Sequence, residues 1–137
     1  MAGKQTGLGW TTLDIDDAAG NARDLRNDVN SFQFATPLAV QDVTGIDLYA
    51  FERLALLADM SITLNGAALN PDSNKSHDVL ANVTDRRTPR DTSIVIGGQT
   101  LAANILFTDY SLNRGSDGSL PWTSPGVLAN GVVPAWS

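Results

Sequence analysis

The chain has 137 residues, 42% of them apolar and 18% charged, with a formal charge of −6 and no cysteine. That length holds one compact domain around one core, and the composition is that of a folded domain whose apolar runs are too short for a membrane-spanning helix. The missing cysteine excludes disulfide and thiolate chemistry, and the negative charge argues against groove binding to nucleic acid, which needs dense Lys and Arg.

The acidity has a distinctive form. Fourteen of the fifteen acidic residues are Asp, Glu52 is the sole Glu, and lysine occurs only as Lys4 and Lys75. Glu and Lys favour helices, whereas Asp competes for backbone hydrogen bonds and favours turns and caps. This charge vocabulary predicts a mainly β chain with many loops.

Residues 1–9 lack the apolar stretch of a secretory leader, so the chain is expected to fold where it is made. Gly-rich and polar, they read as a flexible arm, expected to order on assembly. Trp10–Ile15 alternates loosely as a first strand, followed by a polar turn through Asp16, Asp17 and Gly20. A short helical turn is expected around Asp24–Asp28. The clearest period of two follows: Phe32, Phe34, Thr36, Leu38 and Val40 fall on one side. Pro37 cannot donate to a ladder, so this segment is an edge, a bend or part of a protruding hairpin. An edge with so much apolar surface needs a partner, which makes Phe32, Phe34, Leu38 and Val40 candidate subunit-interface residues.

Thr44-Gly-Ile-Asp47 fits a capping box and predicts a helix whose face is Leu48, Phe51, Ala55 and Ala58, widened by Leu54 and Leu57. Met60–Gly66 alternates as a strand, and residues 70–75 form a loop. Ser76 is placed to cap a second short helix through Val83. Thr92–Gly98 is a strand ending in a glycine turn, and Thr100–Leu112 continues as strand. The turn Asn113–Gly118 reverses the chain into a last strand-like run that closes on Trp136, a packed β-hairpin.

Candidate chemistry is sparse. His77, the single histidine, lies between Ser76 and Asp78, but adjacent residues point in different directions and cannot form a nucleophile–base–orienter line. Asp14, Asp16 and Asp17 lack the ligand spacing and terminal bidentate Glu of a calcium loop. The scattered carboxylates give no support to a glycosidase pair. No catalytic, metal or cofactor-binding residue is assigned, and no enzyme activity is expected. The run Asp85-Arg-Arg-Thr-Pro-Arg-Asp91 is the one concentrated basic patch. It reads as a solvated loop or as a contact to an acidic surface on another copy, through Arg86, Arg87 and Arg90. Nucleic-acid binding is the weakest option there, since Asp85 and Asp91 offset the charge.

The order of a capped helix, Leu57–Gly66, the strand Phe107-Thr-Asp-Tyr-Ser-Leu112, Asp117-Gly118 and a closing Pro134-Ala-Trp136 resembles the major tail (tail tube) proteins of long-tailed, non-contractile bacteriophages, most closely those of actinobacterial phages. The resemblance covers about Asp28 to the C-terminus; contractile-tail and secretion-system tube proteins are similar in fold. It implies a single domain over 1–137, a β-sandwich or barrel flanked by one helix. It further implies hexameric rings stacked into a hollow conduit for DNA in the virion tail, made in the host bacterial cytoplasm. The partners it implies are other copies of the chain and other tail proteins (tape measure, terminator, distal tail), with transient passage of DNA and no membrane or cofactor. A lumen lined by Asp would repel phosphates during passage, and Asp14, Asp109 and Asp117, each bordering a predicted strand, are the candidates. Two alternatives stay open: another structural protein of the same particle (tail terminator, head–tail connector or decoration protein), or a carbohydrate-binding β-sandwich. In that module Trp10, Trp122 and Trp136 would stack on sugars rather than pack core and interface.

Overall fold

The computed structural model describes residues 3–137. Eleven strands and two short helices follow one another as β1 (Trp10–Asp16), β2 (Ala22–Asp24), β3 (Val29–Ala35), β4 (Leu38–Asp42), β5 (Arg53–Ala58), β6 (Ser61–Gly66), α1 (Ser76–Leu80), α2 (Val83–Arg86), β7 (Arg90–Ile96), β8 (Gln99–Phe107), β9 (Ser111–Leu112), β10 (Trp122–Leu128) and β11 (Ala135–Trp136). The mainly β architecture expected from the Asp-rich composition is the one observed.

Nine strands form one antiparallel sheet in the order β2-β1-β7-β8-β10-β6-β3, with β11 added to β8 and β9 to β10. Alternation sorts its residues into two faces. One face, wrapped inward, supplies Leu13 and Ile15 of β1, Ile62 and Leu64 of β6, Ile94 of β7, Leu101, Ile105 and Phe107 of β8, and Trp122 of β10. Val79 and Leu80 of α1 cover part of it, together with Leu25 and Met60. The sheet curls until its ends approach, and Trp10 of β1 meets Phe32 of β3 edge to face at 4.8 Å. A register shift between Trp10 and Thr12 explains why β1 alternates only loosely: the extra residue returns Trp10 to the inner face.

Pro37 separates β3 from β4, and β5 runs on into β6. The four strands form one long hairpin whose outer half, β4 paired with β5 from Leu38↔Ala58 to Asp42↔Arg53, is a separate two-stranded sheet. We call this outer half the arm. It replaces the helix expected from Thr44 to Ala58. Leu, Ala and Arg favour helices, but propensity yields here to pairing with β4 and to continuity with β6. Thr44 caps no helix; its hydroxyl donates to Asp42 Oδ1 at 2.6 Å and accepts from the Glu52 N–H at 2.8 Å.

The helical flank lies at 76–86 instead. Ser76 is the first helical residue, and its backbone N–H donates to Asp28 Oδ2. Ser76 is not the cap expected: Lys75 holds the N-cap position of α1 without a side-chain bond, and the side-chain cap is at α2, where Asn82 accepts from Thr84 N at 3.1 Å. The helical turn expected near Asp24–Asp28 appears as hydrogen bonds from the N–H groups of Asp28 and Val29 to Leu25 O. Of the predicted N-terminal arm, residues 1 and 2 lie outside the described residues. Residues 3–9 are exposed and carry no strand, with Gln5 resting against Gly97.

Candidate interaction surfaces

The arm has no core beneath it. Every residue of β4 is exposed, as are five of the six in β5. Of the seventeen large apolar side chains exposed among the described residues, ten lie between Leu38 and Leu57. A concentration of that kind marks an interaction surface, whereas scattered exposed apolar residues do not. Leu38 and Val40, singled out by the alternation, sit on it at 55% and 56% exposure.

The tip is exposed yet ordered. Asp42 accepts from both the N–H and the hydroxyl of Thr44, Thr44 holds Glu52 N, and Val43 N donates to Glu52 O. These bonds hold the Asp42 carboxyl below its ordinary pKa, the Thr44 hydroxyl contributing most. The clamped loop turns Ile46 and Tyr49 fully into solvent, while Arg53 lies over the Phe51 ring at 4.8 Å. Asp47 and Glu52 add carboxylates that form no ion pair among the described residues.

Phe32 and Phe34 belong to a different place. They stack at 5.9 Å on β3, half-buried, between Trp10 and Trp136. The sequence stripe thus divides at Pro37: its first half lines the mouth of the curled sheet and its second half the arm. That mouth is a cavity of about 670 Å³ floored by Trp10, Leu13, Val29, Phe32 and Phe34, with Arg26 at the rim. Arg26 pairs with Asp24 at 2.9 Å.

The basic run does not act as one patch. Arg90 is buried and so is not an exposed contact residue. Its guanidinium donates to the carbonyls of Asp16, Val79, Asp85 and Thr88, tying β1 and both helices to β7. Burial lowers its pKa, and the nearby Asp85, Asp17 and Asp16 offset part of that effect. Arg86 donates to the Leu80 and Ala81 carbonyls. Arg87 alone of the three is exposed.

The three carboxylates considered for a lumen are also dispersed. Asp14 lies on the outward face of the sheet, opposite Asp24 and Ser93. Burial raises its pKa, with Asp24 adding and Arg26 opposing. Asp16 is raised likewise, by burial, then Asp91 and Asp17, against Arg90. The outward positions of β1, β7, β8, β10, β6 and β3 include no Lys or Arg; at the β2 edge Arg26, ion-paired to Asp24, stands beside Asp14 and offsets part of the charge. Asp109 and Asp117 stand off it, in the β8–β9 link and the β9–β10 turn. There Asp117 accepts from the Ser119 N–H and hydroxyl, which lower its pKa.

His77 Nδ1 lies 3.2 Å from the Tyr110 hydroxyl, and Tyr110 leans on Trp122. No nucleophile lines up with this ring pair; the neighbouring Ser76 hydroxyl is buried without a hydrogen-bond partner. Asp17 is spent on Arg23 and on the N–H groups of Ala19 and Asn21. Among the described residues no three His, Asp or Glu side chains converge as a metal site. The three tryptophans form no common platform: Trp122 is buried in the core, while Trp10 and Trp136 flank Phe34. Pro37 signalled a bend or protruding hairpin in the sequence, but the second strand of the arm was missed. Its signal was the run of Leu and Ala leading without a break signal into the Met60–Gly66 strand.

No family model matches this sequence, and no curated protein matches it either. Among solved structures, the fold is similar to that of a chain in the virion of a native gene transfer agent particle, with TM-score 0.66 and 13% identity over 98% of this chain and 99% of that one. It is similar also to a chain in the tail of an empty gene transfer agent particle refined with C6 symmetry, with TM-score 0.68 and 14% identity over 98% of each chain. At that identity the likeness is one of fold, and it spans both chains nearly end to end.

Proposed function

We propose that this chain is the repeating wall subunit of a phage-like tail tube, a non-enzymatic virion protein. Its copies join in hexameric rings that stack into a conduit for DNA. The observation that carries this reading is the arm: ten large apolar side chains exposed on a two-stranded projection that the chain itself does not cover. Seated on a different surface of the next copy, such a projection makes a heterologous contact. A contact of that kind closes as a ring or continues as a stack. The likeness of fold to a chain in a C6-symmetric tail supports the ring.

The charge of the sheet supports the conduit. A wall facing DNA must not hold it, and an outward face bearing Asp14, Asp16 and Asp91, with Asp24 spent on Arg26, keeps an excess of negative charge that repels phosphates. We assign Asp14, with these neighbours, to the lumen side. Leu38 and Val40 are assigned to the contact between copies, with Arg87 as an exposed cation available to it. Tape measure, terminator and distal tail proteins are the partners expected at the ends of such a tube.

Substituting Leu38→Asp together with Val40→Asp tests the reading, because both positions are exposed and neither supports the core. The unsubstituted chain is expected to sediment as rings and larger assemblies, and the variant as single folded copies with an unchanged circular dichroism spectrum. A variant that assembles as well as the parent overturns the role of the arm. Single closed rings that never stack would indicate a terminator or connector instead.

A further inference from the structure

We propose that the arm tip of one copy seats in the aromatic mouth of a neighbouring copy, with Ile46 and Tyr49 as the inserted residues. This inference rests on the self-assembly reading above and names the two surfaces that meet.

The tip is built as a rigid knob. Thr44 bridges Asp42 and Glu52, so the loop is ordered before it binds anything. Ile46 and Tyr49, at 109% and 106% relative exposure, touch none of their own chain's core. Presenting apolar groups on a pre-ordered loop lowers the entropy cost of docking, and a tyrosine with few rotatable bonds is a common anchor at such contacts.

The mouth is built as a socket. Its cavity of about 670 Å³ is the right order of size for two side chains, and it is walled by the half-buried rings of Trp10, Phe32 and Phe34. Along one lip runs β3, which among the described residues pairs only with β6 and ends the sheet, so its outer backbone groups await donors and acceptors. Asn30, Ser31 and Gln33 line the same lip.

Charge fits the same pairing. Between Asp42 and Arg53 the tip carries Asp42, Asp47 and Glu52 against Arg53 alone. Arg26 lines the mouth with its side chain 46% exposed; its Nε and Nη2 hold Asp24, while among the described residues Nη1 makes a long 3.4 Å bond to Trp10 O. A carboxylate of the incoming tip meets a guanidinium that still has donors free. Knob and socket are different surfaces of one chain, so each copy both gives and receives. The contact therefore propagates from copy to copy.

Because the chain contains no cysteine, engineered cysteines report this contact without background. A disulfide forms only when the two Cα atoms come within about 7 Å. The full chain carrying Ala50→Cys, next to the inserted Tyr49, and Ser31→Cys is assembled, oxidised and run on a non-reducing gel. Ala50→Cys with Asp91→Cys serves as the control, since the exposed Asp91 sits on β7, four strands across the sheet from β3. The expected result is a ladder of cross-linked copies for the first pair and single copies for the control. Assemblies visible by electron microscopy but without a ladder, or with equal ladders for both pairs, overturn the knob and socket while leaving self-assembly standing. A chain that forms neither assemblies nor ladders overturns both.

Discussion

Gly66 and Trp122 face each other across β6 and β10, and the indole lies where any side chain at 66 would go. A Cβ there would meet Trp122 Nε1 at 2.0 Å, Cε2 at 2.2 Å and Cζ2 at 2.7 Å. Carbon contacts are comfortable from about 3.5 Å, so Gly66→Ala demands a retreat of roughly 1.5 Å. The ring has little room for it: Trp122 is 1% exposed and Tyr110 stands 5.6 Å away. Overpacking of a tight core costs about 1–3 kcal/mol. A rigid ring against a strand paired on both sides places this case near about 3 kcal/mol, or about 10 °C in Tm. Urea denaturation followed by circular dichroism reads the loss directly. Trp122→Leu, destabilising in its own right, removes the three clashing atoms. Adding Gly66→Ala in that background is therefore expected to cost less than half as much. A Gly66→Ala protein within about 0.5 kcal/mol of the parent, the usual range for a featureless surface change, refutes the clash. So does an equal cost in both backgrounds.

Other perturbations probe separate parts of the fold. Arg90→Met takes the guanidinium donor from the carbonyls of Asp16 and Val79, while Asp85 O keeps the Thr88 N–H; at about 1–3 kcal/mol for each unsatisfied buried group, the expected loss is at least about 2 kcal/mol by denaturation. Asp16 has a raised pKa, so the folded chain holds its proton more tightly than the unfolded one. Its ionisation therefore withdraws stability as pH climbs above the ordinary 3.8. Asp16→Asn is expected to melt higher than the parent at pH 7 and to lose that advantage below pH 3.8. Asp42 has the opposite sign: its lowered pKa adds order to the tip above pH 3.8, lost as pH falls through the folded value. Thr44→Ala should speed amide exchange at Glu52 by about tenfold, one lost hydrogen bond, while amides of β8 and β10 exchange as before.

Much of the sheet was readable because alternation follows burial. Leu13 with Ile15, Ile62 with Leu64, and Ile94 on β7 each point inward as the period of two requires. The arm was half legible. Pro37 signalled a bend or protruding hairpin, but the second strand of that hairpin was read as a helix. Residues 53–58 have apolar side chains on both sides, and where no core selects a face, periodicity carries no information about β pairing. Arg90 was misplaced for another reason. A charged residue in a basic run looks solvated, and only the folded chain brings carbonyls from four separate residues around its guanidinium. Of the three carboxylates assigned to a lumen, Asp14 was placed by strand alternation on the sheet face. Asp109 and Asp117 fell in the interruption after Phe107 and in the turn, where the expected continuous strand breaks.

Electron microscopy of the purified chain, with class averages viewed end-on and from the side, tests self-assembly most directly. Hollow six-fold rings, stacked into tubes in side view, are the predicted result. Compact single copies at every concentration, with the arm intact and the fold confirmed by circular dichroism, would contradict it.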